Sequence, residues 1–362
     1  MKILTITCHN CYNYGAVLQT YALQSYLSRN YGESEVIDYV PRYMEYNSRY
    51  RYVPEKWSGS FIKKMLWYTR NHPRVFLLNG RKKRFDQFSE QYIHKTRRYS
   101  NYEELVNKTP KADVYICGSD QIWNGIDYEN GKDNAFFLGF TSFGKKISYA
   151  ASFGRSYVDE AFSQNKVRYL KEFQKISVRE SSGIKILEAF QIDSVKVIDP
   201  VFLLDKKEWL GITAHNPAPS KQYVLIYLLD GNSQAIDLIN EYKKEYDIVV
   251  LGELSLNEKG VRNIKDAGPI EFLEYIRNAK YIITNSFHCV AFSIIFEKNF
   301  LVLKRNNSIN GRIDNLLNMA GISDVVIKDD ISRILDYVQI GERIGNEISF
   351  SKKFLRDAIQ DE

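Results

Sequence analysis

The sequence predicts an α/β protein of two doubly wound domains that face one another across a cleft. Three observations carry this. At the start of the chain and again near residue 280, an apolar strand pattern runs into a polar turn, a helical pattern and a second strand pattern. That is the order of a βαβ crossover in a parallel sheet. Between these units, short apolar segments end repeatedly in turns of Gly, Asn, Asp or Ser, as strands do at the carboxyl edge of such a sheet. Finally, 362 residues of which 44% are hydrophobic suffice for two domains of ordinary size.

In chain order, residues 2–8 (KILTITC) read as a buried strand, followed by the turn HNCYNYG. A helix is predicted over 16–29 and a strand over 35–40. Asn10, Asn13 and Gly15 therefore fall on the ligand-binding rim, where glycine lets a backbone approach a substrate closely or simply serves the turn. Residues 42–98, helical over 61–70 and 75–92, look like a basic and aromatic insertion. Strands follow at 113–117, 147–151, 176–178 and 195–198, with helices at 158–172 and 181–190. They deliver Gly118 to Gln121, Ser152 to Gly154, Arg179-Glu180 and Asp199-Pro200 to the same rim. Residues 1–205 form the first domain.

Residues 206–222 contain Gly211, Pro217 and Pro219 without a sustained period and read as a linker. The second domain, 223–330, opens with a strand at 223–229, then a helix at 234–246, a strand at 248–251 and a helix at 269–278. Its centre is KYIITNSFHCVAFSIIFEKNFLVLK, residues 280–304. Here the pattern is strand 280–285, sharp turn, helix 288–296, strand 300–304. His288 falls where the strand's carboxyl end meets the helix's amino end. Free helix N–H groups there attract anions, and an imidazole in that place is a site candidate. The alternative is that it caps or packs against its own helix. A helix at 312–319 and a strand at 325–327 complete the domain. The tail, 331–362, carries a helix at 351–359 that returns to the first domain. Two such domains across a cleft make a GT-B-like architecture.

The net charge of +6 is unevenly spread: residues 42–98 carry 15 Lys and Arg against 4 Asp and Glu. The same segment holds Tyr43, Tyr46, Tyr50, Tyr52, Trp57, Phe61, Trp67, Tyr68 and Phe76. Basic residues among aromatics can face an anionic membrane or glycan, or form a solvated face over core aromatics. No nucleic-acid motif accompanies them, so no nucleic-acid partner is expected. There is no 18-residue apolar run and no signal-peptide pattern, so the protein is expected in the cytoplasm, with contact at the inner membrane face left open. Four cysteines, Cys8, Cys11, Cys117 and Cys289, are expected as free thiols. Cys8 and Cys11 form one C-x-x-C, a weak zinc or redox signal without a partner pair.

The titratable groups predicted on rims are Asp120, Arg179, His288, Lys304, Arg305 and Arg312. One His, one Asp and several cations suit a small, multiply charged anion, since Arg grips carboxylate and phosphate with a planar fork and Lys as a point charge. A histidine near neutrality can give or take a proton. No H-E-x-x-H, D-x-D, P-loop, G-x-S-x-G or G-x-G-x-x-G is present. The pattern therefore points to metal-independent acid–base chemistry on a phosphorylated donor.

Several runs carry a resemblance. They are Asn13-Tyr14-Gly15 with Gln19 and Leu23, Gly118-Ser119-Asp120-Gln121-Ile122-Trp123-Asn124, Tyr149-Ala150-Ala151-Ser152-Phe153-Gly154, Ser177-Val178-Arg179-Glu180 with Ser182, Asp199-Pro200-Val201, and Thr284-Asn285-Ser286-Phe287-His288. In this order, from about residue 10 to about residue 320, the chain resembles the polysaccharide pyruvyl transferase family. The resemblance implies a GT-B-like fold. It also implies transfer of a pyruvyl group from phosphoenolpyruvate to a sugar, usually as a cyclic ketal on two hydroxyls. The acceptor would be a bacterial surface polysaccharide or its lipid-linked repeat unit, with phosphoenolpyruvate as co-substrate and no cofactor or metal.

On this reading His288 and Asp120 are catalytic. Arg179, Ser286, Phe287, Lys304 and Arg312 bind the donor, and Asn10, Asn13, Gly15 and Gln121 bind the acceptor. The family has Arg-x-His on the second rim, whereas here Ser286 stands at the arginine position. A hydroxyl cannot replace a guanidinium, so Arg312, Lys304 or Arg305 is expected to supply the charge. Two alternatives stay open. One is a GT-B glycosyltransferase that uses a nucleotide sugar, with Glu297 as the acidic residue for the ribose. The other is a non-catalytic glycan-binding or assembly protein.

Overall fold

The computed structural model describes residues 1–47, 59–213, 221–231, 234–252, 255–256, 258–304, 311–325 and 334–361. Within them lie two five-stranded sheets of the same parallel topology. The first contains β1 (Lys2–Ile6), β2 (Glu33–Tyr39), β3 (Lys95–Tyr99), β4 (Val114–Cys117) and β5 (Lys145–Ser148) in the order β3-β2-β1-β4-β5. The short pair β6 (Ser177–Val178) and β7 (Val195–Lys196) continues it beyond β5 through bridges from Ile147 to Lys175 and from Ala151 to Val178. The second contains β8 (Tyr223–Tyr227), β9 (Asp247–Leu251), β10 (Val261–Ile264), β11 (Tyr281–Thr284) and β12 (Phe300–Val302) in the order β10-β9-β8-β11-β12. In each sheet the chain starts at the centre, winds to one side, then jumps to the other. A crevice opens where the direction reverses, between β1 and β4 and between β8 and β11.

The central strands are read directly from their apolar runs; β8, YVLIY, is buried throughout. Two strands escape that reading. Both β3, KTRRY, and β10, VRNI, are edge strands with charged or polar residues. Edge strands are commonly charged because their open side meets solvent, which hides the apolar alternation. The segment expected as an insertion thus contains the crossover from β2 to β3.

Seven of the helices shape the cavity between the domains or join the domains together: α1 (Tyr14–Asn30), α2 (Phe61–Tyr92), α3 (Lys206–Ile212), α4 (Pro269–Asn278), α5 (Phe287–Ile295), α6 (Gly311–Ala320) and α7 (Tyr337–Gln360). Where the sequence predicts helices over 61–70 and 75–92, α2 is continuous through Pro73. A proline removes one intrahelical hydrogen bond, and the turns on either side keep theirs. Part of the expected linker is helical: Asp205 and Glu208 form a capping box on α3, whose Trp209 is buried against Phe292 at 4.8 Å. The expected helix over 158–172 is two short helices, Glu160–Asn165 and Val167–Leu170. Val325 ends a 3₁₀ turn instead of opening a strand, and residues 326–327 lie outside the described residues.

α7 is far longer than the predicted 351–359, because Gly341 and Gly345 mask its start. Each glycine costs a helix roughly 1 kcal/mol, and packing outweighs this. Ile340 and Ile344 join a cluster containing Leu316 and Leu317 of the second domain, while Leu355, Ala358 and Ile359 pack with Ile3, Leu23 and Ile147 of the first. The Ile198 N–H donates to Ser351 Oγ at 2.9 Å. The domains also share an apolar core in which the Tyr14 ring stacks on Phe272, centroids 4.4 Å apart, and its hydroxyl donates to the Ala267 carbonyl at 2.9 Å. No helix among the described residues is long and apolar enough to cross a membrane.

Candidate active site

The crevices of the two sheets open onto one cavity of about 500 Å³. The first domain contributes Asn10, Asn13, Gly15, Asp120 and Gln121 to its wall, and the second contributes Ser286, Phe287, His288 and Arg312. Arg179 lies behind this wall, buried. Lys304 is exposed and does not line the cavity, and Arg305 lies outside the described residues. Glu297, the ribose candidate, is exposed at the end of α5, where it pairs with Lys206 at 2.7 Å away from the cavity.

His288 stands in the first turn of α5, directly against α1. A β-carbon built on Gly15 would lie 1.9 Å from His288 Nδ1. Glycine at residue 15 is therefore what admits the ring. On its other side Nε2 makes no hydrogen bond among the described residues and stands 3.7 Å from Asp199 Oδ2. Burial, the largest influence, pushes the imidazole down to about 4; the Asp199 and Asp120 carboxylates pull it up, the Arg179 and Arg312 charges push it down, and burial prevails. The ring is therefore neutral at neutral pH and can accept a proton.

The helix that carries His288 starts at Ser286, whose side chain makes no cap hydrogen bond and whose N–H donates to Thr284 Oγ1 at 3.1 Å. The first intrahelical bond runs from the Val290 N–H to the Ser286 carbonyl. The N–H groups of Phe287 and His288 precede it and face the cavity end of the helix, where its dipole favours an anion. Asn285 ties this turn to the neighbouring strand: its Oδ1 accepts from the Leu229 N–H at 2.8 Å, and its Nδ2 donates to Asp230.

Behind the wall is a compact ionic cluster. Arg179 Nη1 donates to Asp199 Oδ2 at 2.7 Å, while Nη2 stands 3.7 Å from Asp120 Oδ1 and Nε 3.8 Å from Glu180 Oε2. The guanidinium also lies over the Phe287 ring, 5.1 Å from its centroid. Asp199 Oδ1 accepts from the Val201 N–H, and Glu180 accepts from Ser152 and the Gly154 N–H. Arg179 thus hydrogen-bonds one carboxylate of the first domain, stands in ion-pair range of two more, and lies over one aromatic ring of the second. Burial works to raise the Asp120 carboxyl, but Arg179, His288 and Arg312 prevail and hold it below the ordinary range. Asp120 has φ +78°, a left-handed conformation that Asp tolerates better than most residues. Its carbonyl accepts from the N–H groups of Ile122 and Ser152, which hold the turn.

The cavity has a second cation that sequence reasoning missed. Arg81 of α2 is buried, and Nη2 donates to the Tyr12 carbonyl at 2.8 Å. Its guanidinium lies 4.9 Å from the Tyr14 ring centroid and 5.4 Å from that of Phe85. The signal was there: Arg81, Phe85, Phe88 and Tyr92 share one helical face. It was hidden inside the run Arg81-Lys82-Lys83-Arg84, which reads as solvated charge. Tyr12, Tyr128 and Tyr227 also line the wall and lay unmarked in a chain of 26 tyrosines.

Cys8 and Cys11 line the cavity as free thiols, with Cys11 Sγ donating to the Cys8 carbonyl. Burial pushes both up, Cys11 to about 12, which disfavours the reactive thiolate. Between the two in the chain, buried His9 faces Asp38 Oδ1 through Nε2 at 2.9 Å and the Thr7 carbonyl through Nδ1 at 3.2 Å, which fixes the loop. Among the described residues no group of three His, Cys, Asp or Glu side chains could hold a metal ion.

Comparison with known proteins gives three results. The family profile described as polysaccharide pyruvyl transferase matches residues 13–307, most of the chain. No curated protein matches it. Among solved structures, the chain is similar to UDP-GlcNAc 2-epimerase from Neisseria meningitidis bound to UDP-GlcNAc, at 13% identity and TM-score 0.48, covering 99% of this chain and 94% of that one. It is similar to UDP-N-acetylglucosamine 2-epimerase from Rickettsia bellii at 12% identity and TM-score 0.48, covering 100% and 96%. It is also similar to the E. coli heptosyltransferase WaaC with ADP, at 10% identity and TM-score 0.42, covering 96% and 100%.

Proposed function

The chain belongs to the polysaccharide pyruvyl transferase family, and from that premise we propose that it moves the pyruvyl group of phosphoenolpyruvate onto two hydroxyls of one sugar in a surface polysaccharide or its repeat unit. The observation that carries this reading is the neutral His288 between an anion-attracting helix end and the polar rim of the facing domain. Arg312, half-buried at the cavity, and Arg81, on the opposite wall, are the cations that would receive the donor's phosphate and carboxylate. They stand in for the arginine that Ser286 replaces. Arg179, committed to Asp199, would act by holding Asp120 and Phe287 in place.

The steps balance without an outside reagent. Entry of the donor's negative charge raises the His288 pKa, and the ring takes up a proton. His288 delivers that proton to the methylene carbon, which becomes a methyl group as positive charge develops at C2. Ionised Asp120 faces that charge. The first sugar hydroxyl attacks C2 and gives its proton to the imidazole. The C–O bond to phosphorus-bound oxygen breaks, the second hydroxyl closes the ketal, and its proton leaves with the phosphate. Proton transfer by a positioned residue contributes roughly 10²–10⁴-fold. The reaction would take place in the cytoplasm, where phosphoenolpyruvate is made.

The test is phosphate release from phosphoenolpyruvate in the presence of a panel of diol-bearing saccharides. His288→Ala should abolish it, and a near-wild-type rate would remove His288 from the mechanism. Arg312→Ala and Arg81→Ala should each raise KM for phosphoenolpyruvate by roughly 10- to 100-fold, the worth of a charge-assisted hydrogen bond. Thermal stabilisation by a UDP- or GDP-sugar and not by phosphoenolpyruvate would favour the nucleotide-sugar reading instead.

A further inference from the structure

Helix α2 has two unlike halves. Its carboxyl half is built into the shared core through Phe85 and Phe88 and carries Arg81 to the cavity. Its first turns show the reverse pattern: Phe61, Ile62, Met65 and Leu66 are 78%, 70%, 51% and 55% exposed. At the helical period these four share one arc, about 140° wide. Exposed Lys63 and Arg70 flank the arc on its Leu66 side. Scattered surface hydrophobics need no explanation, but a contiguous group on one helix face marks a contact surface.

We propose that this face docks on an anionic membrane surface, with the helix lying in the headgroup plane. Phe61, Ile62, Met65 and Leu66 would enter the acyl boundary, while Lys63 and Arg70 extend along their stems to lipid phosphates. Charge decides between occupants. The turns that carry the patch, residues 61–70, hold Lys63, Lys64 and Arg70 and no Asp or Glu. A second copy packed on the same patch would set like charge against like, whereas an anionic bilayer complements it. A nucleic acid would meet the cations but leave the apolar arc in water.

The helix also relates the patch to the cavity. At 1.5 Å per residue, Arg81 lies about 22 Å along the axis from Leu66 and about 30 Å from Phe61. With the helix in the headgroup plane that separation runs along the membrane surface, so a saccharide carried on a lipid beside the patch could reach the cavity. This last consequence rests on the proposed pyruvyl transfer; the docking itself does not.

The experiment is co-sedimentation of the full chain with vesicles of phosphatidylcholine alone or mixed with phosphatidylglycerol. The expected result is binding to the anionic vesicles that weakens from about 0.1 M to about 1 M salt as the Debye length shortens. The quadruple variant Phe61→Ser, Ile62→Ser, Met65→Ser, Leu66→Ser should lose on the order of a hundredfold in partitioning. Lys63→Glu with Arg70→Glu should lose at least roughly thirtyfold. Both variants should keep the wild-type Tm and the wild-type rate on a water-soluble acceptor. Wild-type protein that ignores anionic vesicles, or a quadruple variant that binds them equally well, overturns the proposal. So does a wild-type dimer that the quadruple variant turns into a monomer without altering vesicle binding. Vesicle binding needs no turnover, so failure of the pyruvyl-transfer reading would leave this result standing.

Discussion

Gly15 and His288 meet across the cavity with no room for a side chain between them: a β-carbon at residue 15 would overlap the imidazole, 1.9 Å from Nδ1. One belongs to the first turn of α1 and the other to the first turn of α5. Each therefore sets where the other can stand.

Gly15→Ala should separate this contact from helix propensity. In α1 alone, alanine is favourable by about 1 kcal/mol. Against the ring it must displace His288 or part the domains, and a displacement of about 1 Å can cost on the order of a hundredfold in rate. Turnover should fall accordingly, and Tm should fall as well. In a His288→Ala background the same substitution should leave Tm unchanged or raise it, because the clash is gone. Unaltered turnover of Gly15→Ala would remove this contact from the mechanism.

His288 predicts a pH dependence of stability. Its folded value is depressed from 6.5 to about 4. Between these values the unfolded chain binds the extra proton, so stability rises with pH across the window. The contribution is whole above about 6.5 and is lost as pH falls towards 4; over the full window it is on the order of 3 kcal/mol. Urea unfolding of wild type and His288→Gln between pH 7 and 4 measures it. The difference between the two proteins should shift steadily against wild type as pH falls. A pH-independent difference would show that the ring is not buried neutral.

Asp199 is the direct partner of buried Arg179. Asp199→Asn keeps the shape but removes the charge that offsets the guanidinium. Breaking a buried pair costs about 3–5 kcal/mol, and the neighbours Asp120 and Glu180 place the expected value near the low end. Asp127, paired with Arg155 in a partly exposed fork, is the control. Asp127→Asn should cost no more than about 1 kcal/mol. Chemical denaturation of both variants checks the contrast, and equal losses would refute it.

What the sequence by itself determined is local. The strand–turn–helix openings around residues 2–40 and 280–304 follow from apolar periodicity and turn chemistry, which act over a few residues. They put Asn13, Gly15 and His288 on carboxyl-edge rims, and all three line the cavity. The charged edge strands β3 and β10 were not legible, because their open side masks the alternation. Nor was Arg81, whose place on the apolar face of α2 was concealed by the basic residues beside it.

The tertiary structure alone decided which rim residues meet. Arg179 turned out to sit behind the cavity, held by Asp199, while Arg312 reaches its wall. The closeness of Gly15 to His288 depends on how the domains dock, through the Tyr14 stack on Phe272 and the reach of α7 across both. Those contacts join residues far apart in the chain, and no local period encodes them. The physical reason is that secondary structure answers to neighbours in sequence, whereas a site between domains answers to packing between surfaces that form only after each domain has folded.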